Sequence, residues 1–462
     1  MANVDVVVVG AGVSGLVTAD RVRAAGRTVV VLEARGRVGG RTLSEPVPPV
    51  GTDSEADPKP LAGLVVDSGA GWVAPDQTLL LAELERFGIA TTPQVRPGDA
   101  LMSMRGKSRR YTDAARSFDP VTTADIAQGM LRFSAAAEKV DVAAPWRGEH
   151  AARYDAQTFE SWIRRTCLTG KGRDYFRLAC EAVLATAPQN VSLLHVLFYA
   201  QSGGGLLHLL TTGGGAHDAR VVGGMQQVAE RLAEDLGQWV RLYEPVSTIM
   251  HDADGISVHS ESGATTAHRV VVTVPPALAS SIDYLPGLPQ DRTLLTQRMP
   301  HGSVVKVHAV YRRPFWRDAA LSGEIASDQG PTKVVFDTSP PDDAYGVLTV
   351  LVDGEDAVRL GSMDADRARD AVLRGLASHL GPKAMDPVGY LAKDWTAEEW
   401  TRGCYGAHLP PGAWTQVGSA LRTPVGRIHW AGTETAERWC GYVDGAIASG
   451  ERAAAEVLAA LP

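Results

Sequence analysis

Val4-Asp5-Val6-Val7-Val8-Val9-Gly10-Ala11-Gly12-Val13-Ser14-Gly15 stands near the start of the chain, and Thr28-Val29-Val30-Val31-Leu32-Glu33 follows one helix-length later. The run from Val4 to Val9 reads as a buried parallel strand, Val13 to Ala25 as a helix stopped by Gly26, and Thr28 to Leu32 as a second strand, together a βαβ unit. Glycines at 10, 12 and 15 permit the tight turn, the approach of a pyrophosphate to backbone N–H groups, and close helix-to-strand packing. Glu33 ends the second strand, where a carboxylate accepts ribose hydroxyls and disfavours a 2′-phosphate. The glycine spacing alone is weak evidence, but loop, strand, helix and terminal acid in that order point to a dinucleotide site for FAD or NAD rather than NADP.

A chain of 462 residues exceeds what one core usually serves, so two or three folding units are expected. Its hydrophobic share of 45% and charged share of 21% suit a globular protein, and no apolar run approaches the roughly 18 residues of a membrane span. The apolar stretch Val4 to Leu16 lacks a basic leader and is broken by glycines, so export is not expected. A net charge of -8 without a basic block argues against nucleic acid as a partner. Four cysteines, Cys167, Cys180, Cys404 and Cys440, form neither a disulfide framework nor a zinc spacing, and the cytoplasm is the default location.

Beyond the first unit, 43–63 holds five prolines and no apolar period and reads as a surface loop. Order returns at Val65-Val66-Asp67-Ser68-Gly69-Ala70-Gly71-Trp72-Val73, and a long helical region is expected to fill much of 79–210. Val221 to Leu236 reads as a helix entered through Gly223-Gly224. Trp239 to Met250, Gly255 to Ser260, Arg269 to Val274 and Ser303 to Tyr311 read as strands, and the chain ends in a helix of small residues after a strand at 427–430. No internal repeat is present.

A second cluster lies at the far end: Arg402-Gly403-Cys404-Tyr405, Ala431-Gly432-Thr433-Glu434 and Gly441-Tyr442-Val443-Asp444-Gly445. With Glu33-Ala34-Arg35 and Arg37-Val38-Gly39-Gly40-Arg41, these motifs make the chain resemble the monoamine oxidase family of FAD-dependent amine oxidases, over most of its length but only loosely from Asp99 to Leu210. The resemblance implies an α/β plus α+β fold. Its Rossmann-like, glutathione-reductase-like FAD-binding domain would be built from 1–78, 220–285 and 394–462, interleaved with a substrate-binding domain from 79–219 and 286–393. It further implies that Gly10, Gly12, Gly15, Glu33, Arg35, Gly40, Arg41, Gly69, Gly432, Glu434 and Val443 hold FAD, that Val246 meets the adenine, and that Trp395 packs near the flavin.

Cys404 matches the position that bonds covalently to the flavin in some members, against the plain reading of a buried inert cysteine. Arg402 stands where animal members usually have another glycine. Tyr405, about 3.8 Å along the chain from Cys404, and Tyr442 match two tyrosines that cage the substrate amine, where aromatic faces attract an ammonium. The ordinary alternative for either is core packing. The start of the last helix would favour negative charge at the flavin pyrimidine edge.

Lys306 alternates onto the strand face opposite Val305 and Val307, which suits a solvated lysine. The resemblance instead implies that it holds a water against the flavin and favours electron transfer to dioxygen. The overlapping Ser303-Val304-Val305-Lys306 lacks the partners of a serine hydrolase and is a chance match. Leu206, Leu207, Leu209 and Leu210 supply apolar wall, with Leu209 at the substrate cavity. Ala216 replaces a family glutamine, and whether Arg220 points inward as a carboxylate clamp is open.

The resulting expectation is oxidative deamination of a small, primary, largely apolar amine, with dioxygen reduced to hydrogen peroxide and FAD tethered to Cys404. A homodimer is left open. Alternatives are an amino-acid or polyamine oxidase, an NAD-dependent dehydrogenase with Cys404 as nucleophile, and a non-catalytic flavoprotein.

Overall fold

The valine run forms the strand Asn3–Val9, and the helix Val13–Ala24 carries the chain back to Val29–Leu32 beside it in parallel register. This computed structural model describes residues 3–50, 61, 63–112, 118–252 and 255–462. Strands Val240–Arg241, Val29–Leu32, Asn3–Val9, Gly263–Val272 and Ile428–Trp430 run side by side, all parallel. The first half of Gly263–Val272 pairs antiparallel with Ile256–Ser260, which leads to Thr248–His251 and Asp283–Leu285 and completes an eight-stranded sheet.

Both faces of the parallel part are covered, which is why its strands are nearly continuous valine. Val6, Val8, Val29, Val31 and Val271 pack under helices through Leu16, Leu232 and Ile447. Val7, Val30, Val270 and Val272 alternate to the other face and meet Ile249, Ile256 and Val258. The small residues of the last helix, Val443–Ala460, set its approach to Val13–Ala24. Ser14 and Ser449 hydroxyls lie 2.9 Å apart, and a Cβ at Gly450 would stand 2.5 Å from the Ser14 carbonyl.

A second, seven-stranded sheet runs in the order Gly389–Asp394, Val304–Tyr311, Gly346–Asp353, Val334–Asp337, Leu321–Ser327, Asp99–Met104, Lys107–Tyr111. The helix Ala365–Leu380 covers it through Val372, Leu373 and Leu376. A helical region from Pro120–Ala137 to Leu206–Leu210 has its own core around Phe133, Phe159, Phe176 and Phe198. Among the described residues no helix is long and apolar enough to cross a membrane.

Three expectations need correction. Helices do fill much of 79–210, but the expectation missed the strands Thr91–Pro93, Asp99–Met104 and Lys107–Tyr111 within it. Arg105 and Gly106, both at positive φ, make a two-residue hairpin turn, and pairing with Leu321–Ser327 overrides the helical propensity of the Leu-Met run. The expected strand from Trp239 to Met250 is two strands, because Tyr243 is left-handed and Pro245 lacks a donor. The start of the proline-rich loop is not free surface: Ser44–Pro46 pairs with Val65–Asp67, and Leu43, Val47 and Leu61 are buried. Its remainder, 51–60 and 62, lies outside the described residues.

Candidate functional site

One cavity of about 650 Å³ is lined by residues of both sheets and of the helical region. Two groups of residues line it, one around Glu33 with Gly10, Gly12, Arg35, Gly40 and Val246, the other around the tyrosines with Tyr199, Leu209, Lys306, Cys404, Tyr405 and Tyr442. Residues separated by nearly the whole chain therefore share one wall.

The glycine loop divides its duties. A Cβ at Gly15 would stand 2.0 Å from the Gly10 carbonyl, and one at Gly10 2.8 Å from the Thr273 hydroxyl, so these two serve packing. A Cβ at Gly12 would meet no protein atom within 4 Å, so its glycine keeps the cavity itself clear. The Glu33 carboxylate accepts the Ala11 N–H at 2.7 Å and the Arg35 N–H at 2.9 Å, which fixes it at the cavity edge with lone pairs to spare. These residues fit a nucleotide with a pyrophosphate and a free ribose.

Arg41 crosses to the other motif. Its guanidinium donates to both Glu434 carboxylate oxygens, at 2.6 and 3.0 Å, and to the Tyr405 carbonyl at 2.8 Å. Burial alone would raise the Glu434 carboxyl, but Arg41 and His301 hold it well below the usual carboxylate range. Glu434 thus braces Arg41, and the wall itself is formed by Gly432 and Thr433.

Lys306 is buried, which removes the reading of a solvated strand lysine. Its ammonium donates to the Gly69 carbonyl at 2.8 Å and lies 4.6 Å from the Trp72 ring centroid. Burial pushes it down to about 8, against the pull of Asp67. Trp395 donates to the Ser68 carbonyl at 2.8 Å, so Trp395 and Lys306 pin neighbouring residues of one loop.

Cys404 is buried with Leu43, Ala185, Val304 and Trp395. Burial raises its thiol to about 12, with Arg41 opposing. Arg402 takes a left-handed φ of 56° and its side chain is exposed, so an arginine fills the place of a glycine at a strained backbone position. The Tyr405 hydroxyl donates to Asp353 at 3.0 Å. Tyr442 packs edge-on against Trp439 at 4.8 Å and near Tyr199 at 6.2 Å. Gly441 has positive φ, and a Cβ there would stand 2.4 Å from the Tyr199 hydroxyl. Val443 follows at the head of the last helix and lines the same cavity.

Of the four leucines, Leu209 lines the cavity, Leu206 is buried elsewhere, Leu210 is half-buried against the helical core, and Leu207 is exposed. Arg220 lies outside this cavity and donates to the Thr338 and Ser339 carbonyls, each at 2.8 Å. Tyr199, His217 and Leu351 also line the site and were not anticipated. Trp72 lay within a recognised motif, but Tyr199 and Leu351 sit in ordinary apolar runs without a local signal.

Residues 13–458 match the family model described as flavin containing amine oxidoreductase. A putative flavin-containing monoamine oxidase, AofH, of Mycobacterium tuberculosis is 39% identical over 99% of this chain and 97% of its own length. Among solved structures, an alanine-to-cysteine variant of a putrescine oxidase, from a structure-based redesign of cofactor binding, matches with a TM-score of 0.93 at 35% identity over 99% of both chains. Cyclohexylamine oxidase from Brevibacterium oxydans matches with a TM-score of 0.92 at 30% identity, again over 99% of both chains.

Proposed function

The chain belongs to the flavin-containing amine oxidoreductases, and within that family we propose that it oxidises a small, apolar, primary monoamine held between Tyr405 and Tyr442, with FAD bonded to Cys404. Oxidative deamination converts such an amine to an imine that water hydrolyses to an aldehyde, and dioxygen leaves as hydrogen peroxide. The observation that carries the reading is the shared cavity, which Glu33 and Gly12 line together with Lys306, Cys404, Tyr405 and Tyr442.

Bound FAD supplies the hydride acceptor. Arg35, Gly40, Arg41, Gly69, Gly432 and Val443 would hold it, with Val246 toward the adenine. Trp395 and Glu434 would act by bracing that wall. Segments 1–78, 220–285 and 394–462 would make up the cofactor domain, with 79–219 and 286–393 for the substrate. Tyr405 and Tyr442 offer ring faces to an incoming amine, and Leu209 and Ala216 give it apolar wall. Lys306, held by Gly69, would place a water and positive charge where dioxygen gains electrons. Cys404 would hold the cofactor once its thiol has ionised, a step that Arg41, Lys306 and Arg35 favour.

The lining residues favour a monoamine over the alternatives. Of the lining acids, Glu33, Glu244 and Glu261 lie in segments away from the two tyrosines, and Glu399 follows Glu398, which is bound to Arg35. This distribution supports a tyrosine end without a carboxylate for a second amine. The lining arginines are Arg35, Arg41 and Arg402, and Arg220 is turned away, so no clamp faces an amino-acid carboxylate. Peroxide release from a primary alkylamine, with equal consumption of dioxygen, tests the activity; turnover without peroxide would overturn the oxidase half of the reading.

A further inference from the structure

We propose that Asp353 accepts, by way of the Tyr405 hydroxyl, the proton that an alkylammonium substrate must lose before its α-carbon can release hydride. The inference rests on the reading of Tyr405 as a wall of the amine site.

The geometry begins with two paired strands. Val304 lies opposite Asp353 and Lys306 opposite Leu351 in the antiparallel pair Val304–Tyr311 and Gly346–Asp353. Side chains two apart on a strand share a face, and directly opposed residues share it too. Val304, Lys306 and Leu351 all line the cavity, so Asp353 shares their sheet face at the end of its strand, outside the lining itself and behind Tyr405, which does line it. The Gly354 N–H bonds to the Ser303 carbonyl at 2.9 Å and holds that strand end in place.

Asp353 is 1% exposed. One carboxyl oxygen accepts from the Tyr405 hydroxyl at 3.0 Å, and the other has no hydrogen-bond partner. Burying a carboxyl with a single neutral partner is costly, and a backbone carbonyl would anchor a tyrosine hydroxyl without that cost. The other groups facing it are Glu181 and Lys333, and Lys333 is committed to Glu181 and Asp356 at 2.8 Å each. Burial pushes the Asp353 carboxyl well above its ordinary range, with the Tyr405 bond opposing. A carboxyl so raised binds a proton more tightly than a surface carboxylate, as a proton acceptor requires. Burial also favours its protonated form, so the relay requires Asp353 to be ionised before the substrate arrives, which the infrared readout below tests.

In the step, a proton leaves the ammonium nitrogen for the Tyr405 oxygen as the phenol's own proton passes to Asp353. An ammonium and a carboxylate become a neutral amine and a carboxylic acid. Charge balances and no oxidant is consumed. Asp353 acts through Tyr405 and is a positioning residue in that sense.

The test compares two amines in the flavin-loaded enzyme, an ordinary alkylamine that arrives protonated and a fluorinated alkylamine of low basicity that arrives neutral. Asp353→Asn should lower kcat/KM for the first at neutral pH by roughly a hundred-fold, spare the second, and recover as pH approaches the pKa of the alkylamine. A tertiary-alkyl primary ammonium, which has no α-hydrogen to lose, supplies a readout apart from turnover. Its binding should raise a protonated-carboxyl infrared band in the wild type that Asp353→Asn lacks. Equal losses for both amines, no loss, or a band that persists in the variant would overturn the proposal. If Asp353→Asn does not yield folded protein, Tyr405→Phe breaks the same relay and should show the same discrimination between amines. A wild type that turns over neither amine would instead overturn the functional reading itself.

Discussion

Arg41 and Glu434 lie 393 residues apart in sequence and meet through two hydrogen bonds of 2.6 and 3.0 Å inside the protein. Arg41 follows the glycine loop and Glu434 precedes the last helix, so this pair closes the wall that both ends of the chain build. Neither group touches the other for lack of alternatives: His301 Nε2 also lies 3.5 Å from Glu434.

Glu434→Gln should cost about 3 kcal/mol of stability, because it leaves a buried guanidinium without its counter-charge. The folded Glu434 carboxyl titrates below its unfolded value. Its contribution is therefore complete above about pH 4.3 and is lost as pH falls below that. Denaturant unfolding at pH 7 and at pH 3.5 should show the gap between wild type and variant narrowing at the lower pH. A gap of constant size would assign the loss to packing.

Lys306→Met should slow reoxidation by dioxygen more than anaerobic reduction by amine in stopped-flow measurements. The Lys306 ammonium titrates near 8, and a lysine with a lowered value is charged below it and neutral above it. Wild-type reoxidation should therefore fall as pH rises through about 8, whereas the methionine variant should show no such step. Equal effects on both half-reactions would remove Lys306 from the oxygen chemistry.

If Cys404 is bonded to FAD, acid precipitation of loaded protein should leave the yellow colour in the pellet, and Cys404→Ser should move it to the supernatant while retaining some activity. Flavin released from the wild type would refute the tether and leave the site otherwise unchanged.

The part of this architecture that was legible in sequence is the part specified by neighbours along the chain. The valine strands, the glycine turn, Glu33 and the motif around Cys404 are each set within a dozen residues, and all of them line or border the cavity. Asp99–Met104 was missed because its strand state is decided by its two partners, Leu321–Ser327 and Lys107–Tyr111, and not by its own leucine and methionines. The burial of Lys306 was likewise hidden, since alternation shows which face a residue takes but not whether water reaches that face. Asp353 closes an unremarkable run, and only its place opposite Val304 and its bond to Tyr405 give it meaning.

Tyr405→Leu and Tyr442→Leu should each lower kcat/KM toward amines while leaving FAD bound, because both residues line the cavity and neither belongs to the glycine loop or its terminal acid. Loss of flavin from either variant would recast that tyrosine as a structural support.

The substrate itself is tested most directly by kcat/KM in a peroxide-coupled assay across a series of primary alkylamines, with putrescine and an amino acid of matched length beside them. Each added methylene that the cavity buries is worth about 0.8 kcal/mol, so efficiency should climb along the series until the wall at Leu209 is reached. The diamine and the amino acid should trail, because a second ammonium finds no lining carboxylate at the tyrosine end and a carboxylate meets only Lys306, already tied to the Gly69 carbonyl, and no guanidinium fork. A diamine or amino acid turned over far better than every monoamine would contradict the pocket reading.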